Sequence, residues 1–251
     1  MSAGRFRLGL GTANVANVLT PLGIPPRNRV DRIQDAVVII RDLLEGKEVS
    51  FEGTYDQLSH VRLHSATSFH VPVYLGTRGA RMLAVAGELA QGVLVESIFW
   101  RDGMEHVRSR LRIGAARSGR PLADFDLVSW QVVLVTDDPR ATVEQLRPWV
   151  LRTFENGPPE AIELVGIESD TITRVRALSA AGDRDSALRA IPDSAVHSLM
   201  VIGRPREVIE RLKILANGGA RTVSILSIGG VDETVRNLRR IAVEVMPEVN
   251  R

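Results

Sequence analysis

The chain contains no cysteine, which excludes disulfides, thiolate metal centres and cysteine nucleophiles in one step. Aromatic residues make up only 4% of it, lysine is scarce, and the arginines are dispersed rather than gathered into runs with aromatics between them. The stacking platform and cationic stripe of a nucleic-acid-binding protein are therefore both missing. No uninterrupted apolar run reaches the ~18 residues of a membrane span. The opening Met1-Ser2-Ala3-Gly4-Arg5 lacks the charged-then-apolar layout of a signal peptide. What remains is the expectation of a cytoplasmic protein that acts on a small molecule. His60 and His64 share one side of an extended segment, but no carboxylate–histidine spacing accompanies them, so they read as surface residues and no metal is expected. Walker-type loops and Ser-His-Asp orderings are absent as well.

Against these absences stand 251 residues that are 44% hydrophobic, enough to bury a large core. The net charge is +2, and the modest arginine surplus suits an anionic small molecule as well as a solvated surface. The most informative stretch is Val71–Ser97, VPVYLGTRGARMLAVAGELAQGVLVES. Two apolar runs, Val71–Leu75 and Gly92–Glu96, enclose a periodic segment ending near Gly87, the signature of a βαβ unit. The turn Gly76-Thr77-Arg78-Gly79-Ala80-Arg81 then falls at the carboxyl end of a strand, where α/β folds hold ligands. Its glycines permit a tight bend and a close approach, and the helix that follows begins with free N–H groups.

The same order of strand then helix recurs along the chain. Phe6–Leu10 reads as a strand with a tight turn at Gly11–Asn14. Arg29–Leu44 reads as a helix with Val30, Ile33, Val37, Ile40 and Leu44 in one stripe, stopped by Gly46. Val49–Glu52 and Thr54–Leu63 form a hairpin insertion over about 48–64. A helix spans Asp102–Arg117, a long strand Asp126–Thr136, and a helix Ala141–Phe154 follows Asp137-Asp138-Pro139. Residues from about 155 to 196 read as a helical insertion broken at Gly157-Pro158-Pro159, Gly182-Asp183 and Pro192. Helix Arg206–Ala216, strand Thr222–Leu226 and helix Val231–Val245, ended by Pro247, complete the series. Five such βα repeats imply a parallel sheet covered by helices in a single domain, too few for the eight of a closed barrel.

GRFRLGLGT, PPRNRVDRIQDAVVIIRDLLEGKEVSFEG, VPVYLGTRGARMLAVAGELAQGV and GRPREVIERLKILANGGARTVSIL, in this order, resemble the bacterial-luciferase-like flavin or deazaflavin oxidoreductases, and most of all their F420-dependent branch. The resemblance implies a TIM-barrel type (β/α)8 fold of which the first three strands have no counterpart here. It implies F420 as cofactor, with FMN as the alternative, and hydride transfer to or from a small organic substrate. A non-catalytic cofactor-binding or partner subunit is the second expectation. Open edges on the first and last strands imply a homodimer.

The resemblance places the turn Gly76, Thr77, Arg78 and Gly79 beside the phosphate-bearing chain of the cofactor, with amides, a hydroxyl and a guanidinium to meet it. Thr12 and Asn14, in the loop after the first strand, belong to the same rim, with Asn17 a further hydrogen-bonding group. Ser227-Ile228-Gly229-Gly230 is a weaker phosphate loop, because Asp232 and Glu233 follow it at the start of a helix. Glu96 and Ser97 end a strand at the ligand rim. Trp100, Trp130 and Trp149 read as core or lid packing. No catalytic residue is assigned.

Overall fold

The computed structural model describes residues 4–64, 70–97 and 101–249. Two compact units divide the chain, one comprising Met1–Leu94 and Ser109–Asp126, the other Val95–Arg108 and Leu127–Arg251.

The first unit begins with β1 (Leu8–Gly11), after which Ala13, at φ 59°, turns the chain into a π-helical turn over Val15–Leu19. Helix α1 (Arg29–Leu44) buries Ile33, Val37 and Ile39, so Ile39 rather than the expected Ile40 faces inward. Gly46, at φ 77°, ends it in the left-handed conformation that a Cβ disfavours. The antiparallel hairpin pairs β2 (Val49–Glu52) with β3 (Gln57–Val61). The second strand is shorter than expected because the Gly53 amide closes a turn onto the Asp56 carbonyl at 2.9 Å.

The predicted βαβ unit follows as β4 (Val73–Gly76), α2 (Ala80–Leu89) and β5 (Gly92–Glu96). Its strands carry apolar runs without polar alternation, as strands covered on both faces do, and Val73, Leu75 and Val93 are buried to within 1% of full. The ladders are parallel, with Leu8↔Val73 through Gly11↔Gly76 on one side of β4 and Tyr74↔Gly92 through Gly76↔Leu94 on the other. Two glycines set the position of α2. A Cβ on Gly114, in helix α3 (Arg101–Ser118), would lie 1.7 Å from the Ala84 carbonyl oxygen, and one on Gly87 would lie 2.1 Å from that of Leu111. The backbones of α2 and α3 therefore touch directly at this crossing.

In the second unit β6 (Asp126–Val135) is the central strand. It pairs in parallel with β8 (Thr222–Leu226) over Val128–Val132 and with β7 (Val201–Gly203) over Val133–Val135. The expected helical insertion is ordered: α4 (Pro139–Asn156), α5 (Pro159–Glu163), α6 (Ser169–Ala180), α7 (Arg184–Ala190) and α8 (Asp193–Leu199) bury Leu146, Phe154, Val175 and Val196 in one core. Residues read as breaks act as helix starts, the Asp183 carboxylate accepting from the Ser186 amide at 3.1 Å. Helix α9 (Pro205–Asn217), helix α10 (Val231–Arg240), a π-helical turn over Ile241–Val245 and α11 (Met246–Val249) end the unit. Pro247 does not end the last helix as expected. The π-helical turn runs straight into α11, the Met246 amide reaching back to the Ile241 carbonyl, and the helix continues past Pro247 to Val249.

Both units thus combine parallel strands with helices, the expected α/β class. Among the described residues β1 pairs only with β4 and β8 only with β6, so each keeps an open edge, as in an incomplete barrel. Trp130 and Trp149 are 39% and 37% exposed and so are not core residues; Arg152 stacks its guanidinium over the Trp149 ring at 5.3 Å. Trp100 lies outside the described residues. No helix of the described residues is long and apolar enough to cross a membrane.

Candidate functional site

In the first unit, register decides what meets what. Gly11 pairs with Gly76 at the last rung of the β1–β4 ladder. Because the strands are parallel, the turns that follow them, Thr12–Asn14 and Thr77–Gly79, leave the sheet at the same end. This places all six of the residues singled out in the sequence at one strand end. Thr12, Asn14, Thr77, Arg78 and Gly79 are half-buried there, and Gly11 and Gly76 are exposed.

Local hydrogen bonds sort the donors. The Thr77 amide is taken by the Leu94 carbonyl at 3.0 Å, and the Gly79 amide by the Thr77 Oγ1 at 3.1 Å. The expectation that Gly76, Thr77 and Gly79 all present amides to a ligand narrows accordingly. The Thr77 hydroxyl accepts from Gly79 and keeps its own hydrogen to donate. Beyond it lies the first turn of α2, whose N–H groups have no partner within the helix, and Gly79 at the N-cap brings no side chain to cap them. No acidic residue occupies that turn. The helix dipole and Arg78 therefore meet an approaching anion with positive potential.

Three other βα turns among the described residues differ. The Gly230 amide at the start of α10 donates to Glu233 Oε2 at 2.8 Å, the Arg204 amide at the start of α9 to Glu207 Oε2 at 2.6 Å, and the Ala141 amide at the start of α4 to Asp138 Oδ1 at 3.1 Å. Each of these helices carries its own carboxylate where a phosphate would sit. The Ser227–Gly230 loop is thus filled by Glu233, for the reason that the sequence suggested. Its Ser227 hydroxyl accepts from Asn237 at 2.9 Å.

The glycines have a different reason from the one expected. Neither Gly76 nor Gly79 has a positive φ. A Cβ on Gly11 or Gly76 would approach nothing nearer than 3.8 Å, and one on Gly79 nothing nearer than 4.0 Å. The backbone itself does not demand glycine at these positions; what glycine provides is room at the mouth of both turns. Two features carried no sequence signal. Ala13 adopts a left-handed conformation uncommon for alanine, and the Asn14 carbonyl accepts from both Val18 and Leu19 at 3.0 Å, fixing the loop after β1. Arg81 is 80% exposed and points toward Asp31 at 3.8 Å, away from the turn.

At the opposite end of β4, Tyr74 is buried and donates to Asp126 Oδ2 at 2.8 Å while accepting from Arg7 at 3.3 Å. Burial, and then the Asp126 carboxylate, push its phenol above the ordinary range. Gly92 makes room for the ring, since a Cβ there would lie 2.3 Å from Tyr74 Cε1. This cluster ties the strands together at the end remote from the turns. In the second unit Ser97 is buried at φ 55°, its amide donating to the Trp130 carbonyl at 3.3 Å. His60 is exposed and pairs with Glu48 at 2.8 Å, and no metal-binding cluster occurs among the described residues.

Comparison with known proteins gives these features a context. The family model for luciferase-like monooxygenases matches residues 1–222. A 5,10-methylenetetrahydromethanopterin reductase of Archaeoglobus fulgidus is 29% identical over 253 aligned residues, covering 99% of this chain and 75% of the relative. An F420-dependent glucose-6-phosphate dehydrogenase of Beutenbergia cavernae is 30% identical over 153 residues, 59% of this chain and 45% of the relative. The structure of the coenzyme F420-dependent tetrahydromethanopterin reductase from Methanopyrus kandleri superposes with a TM-score of 0.83 at 23% identity, over 99% of this chain and 75% of that one. The fold is therefore shared, and the chain spans about three quarters of the length of that reductase.

Proposed function

The chain belongs to the luciferase-like monooxygenase family, and from that premise we propose that it is an F420-dependent oxidoreductase moving hydride to or from a small organic substrate. One observation carries the reading: the in-register ends of β1 and β4 hold two roomy turns beside a helix start with no carboxylate of its own. Relatives named as F420-dependent enzymes supply the choice of cofactor.

The residues present fit an anionic cofactor chain. The first-turn amides of α2, the Thr77 hydroxyl and Arg78 would hold its phosphate, and Gly11, Gly76 and Gly79 leave space for it to approach. Thr12 and Asn14 would hydrogen-bond the polar edge of the same molecule. When bound, F420 supplies the hydride chemistry, and this chain supplies binding and orientation. Thr12 has no titratable group, so it positions without exchanging protons.

Titration of the purified protein with F420 and with FMN, followed by fluorescence, tests the proposal. Saturable binding of F420 in preference to FMN is expected. Preference for FMN would reassign the cofactor, and binding of neither would favour the non-catalytic partner subunit.

A further inference from the structure

The bend after β1 is fixed from both sides. Gly11 is held in the ladder by its pairing with Gly76. Beyond the bend, the π-helical turn Val15–Leu19 is locked in place. The Asn14 carbonyl accepts from the Val18 and Leu19 amides at 3.0 Å, the Val15 carbonyl accepts from the Thr20 amide at 2.8 Å, and Leu19 is buried. The change of direction falls to Thr12 and Ala13, and Ala13 makes it at φ 59°.

Among the described residues the non-glycine positions with positive φ are Ala13, Asn28, His60 and Ser97. Asparagine and histidine are types enriched in that region, and a short polar side chain such as that of Asn28 can hydrogen-bond locally to support it. Ser97 is buried. Ala13 has neither help. Its methyl cannot hydrogen-bond, and it is exposed, so packing does not compensate. For such a residue the left-handed conformation is disfavoured by about 5–30-fold. Strain of this kind persists where the surroundings over-determine it, typically at ligand sites, and a single π turn has the same association. Both features stand at the strand end that carries Thr77 and Arg78.

We propose that Ala13 is a positioning residue whose left-handed turn sets the affinity of the rim for its anionic cofactor. A return of Ala13 to negative φ redirects Asn14 relative to the strand, so Thr12 and Asn14 keep their relative placement only while the turn is formed. Protein with the turn relaxed does not bind, and the apparent dissociation constant scales inversely with the share that has it formed. Alanine thereby gives the site a lower affinity than its contacts alone would allow. This extends the reading of the site as F420-binding and depends on it.

Fluorescence titration of F420 into wild type, Ala13→Asn, Ala13→Gly and Ala13→Val tests this. Asparagine and glycine tolerate the left-handed region, whereas a β-branched residue does not. Asparagine and valine are similar in size, so that pair separates backbone conformation from bulk. Ala13→Asn and Ala13→Gly are expected to bind about threefold tighter than wild type, and Ala13→Val about tenfold weaker. In the free protein, hydrogen exchange at the Val18 and Leu19 amides should be slowest in Ala13→Asn and Ala13→Gly and fastest in Ala13→Val. A merely structural residue would move the melting temperature and leave the affinity of the folded protein alone. Equal affinities in Ala13→Asn and Ala13→Val would overturn the proposal. Should Ala13→Val fold poorly, Ala13→Asn and Ala13→Gly decide it, and binding no tighter than wild type in both overturns it. Wild type that fails to bind F420 at all removes the cofactor reading, and this proposal with it.

Discussion

Gly114→Ala is the sharpest test of how α2 is held. On an exposed helix this change would stabilise by ~1 kcal/mol, because alanine is the better helix former. Here the new Cβ would fall 1.7 Å from the Ala84 carbonyl oxygen, 2.7 Å from its carbon and 2.8 Å from the Glu88 nitrogen. All three are backbone atoms, so no side chain can rotate away. The helices must separate by about 1.5 Å to restore an ordinary contact, which loosens the packing of Leu83, Leu111 and Ala115, all at most 4% exposed. Overpacking of this kind costs ~1–3 kcal/mol and occasionally more. A backbone-to-backbone clash belongs at the upper end, leaving a net loss of roughly 2 kcal/mol after the gain in propensity. For a chain of this size that lowers the melting temperature by about 4–8 °C. Gly87→Ala, whose Cβ would lie 2.1 Å from the Leu111 carbonyl oxygen, should behave alike and combine non-additively with Gly114→Ala, since both spread the same crossing. Thermal and urea unfolding measure the effect, with Gly9→Ala, where nothing lies within 4 Å, as the neutral control. An unchanged or raised stability for Gly114→Ala would refute the close crossing.

Other outcomes follow from the same geometry. Asn237 donates to the Val133 carbonyl at 2.7 Å and accepts from the Val135 amide at 3.0 Å, so Asn237→Leu strands two buried backbone groups and should cost roughly 2–4 kcal/mol in urea unfolding. Gly76→Ala should change stability by less than about 0.5 kcal/mol, yet weaken F420 binding measurably in a fluorescence titration, because the methyl fills space that the fold does not use. His197 is held below its usual 6.5 by burial and then by Arg211, so the unfolded chain binds the proton more readily. Its contribution is complete above pH 6.5 and is lost as pH falls below that value. Urea unfolding as a function of pH should show a shallower acid-side decline for His197→Gln.

The βαβ unit was legible because continuous aliphatic runs such as Val73-Tyr74-Leu75 and Val93-Leu94-Val95 have one plausible use between turn signals; the structure keeps the second strand at Gly92–Glu96 and moves the first from Val71–Leu75 to Val73–Gly76. Val201–Gly203 was not legible as a strand: three residues show no periodicity, and only the pairing with Val133–Val135 makes them β7. Asp183 and Pro192 were misread as breaks because a helix start and a loop use the same residue types. The rule that ligands gather at strand ends singled out the turns of Thr12–Asn14 and Gly76–Gly79, and the parallel register brings both to one end of the sheet. That rule could not tell which amides were already taken, since Thr77 is bound by Leu94 on a different strand. Nor could it tell that the glycines serve space rather than curvature, which needs φ and the distances to neighbouring atoms.

The turn after β4 is the proposed anion-holding part of the site, and two neighbouring arginines separate that role from general electrostatics. Arg78 lies half-buried in the turn, while Arg81 is 80% exposed and directed at Asp31. Affinity for F420 should fall at least about tenfold in Arg78→Ala, the scale of a lost charge-assisted contact, and stay within about twofold of wild type in Arg81→Ala. Equal losses in the two variants, or none in Arg78→Ala, would contradict it.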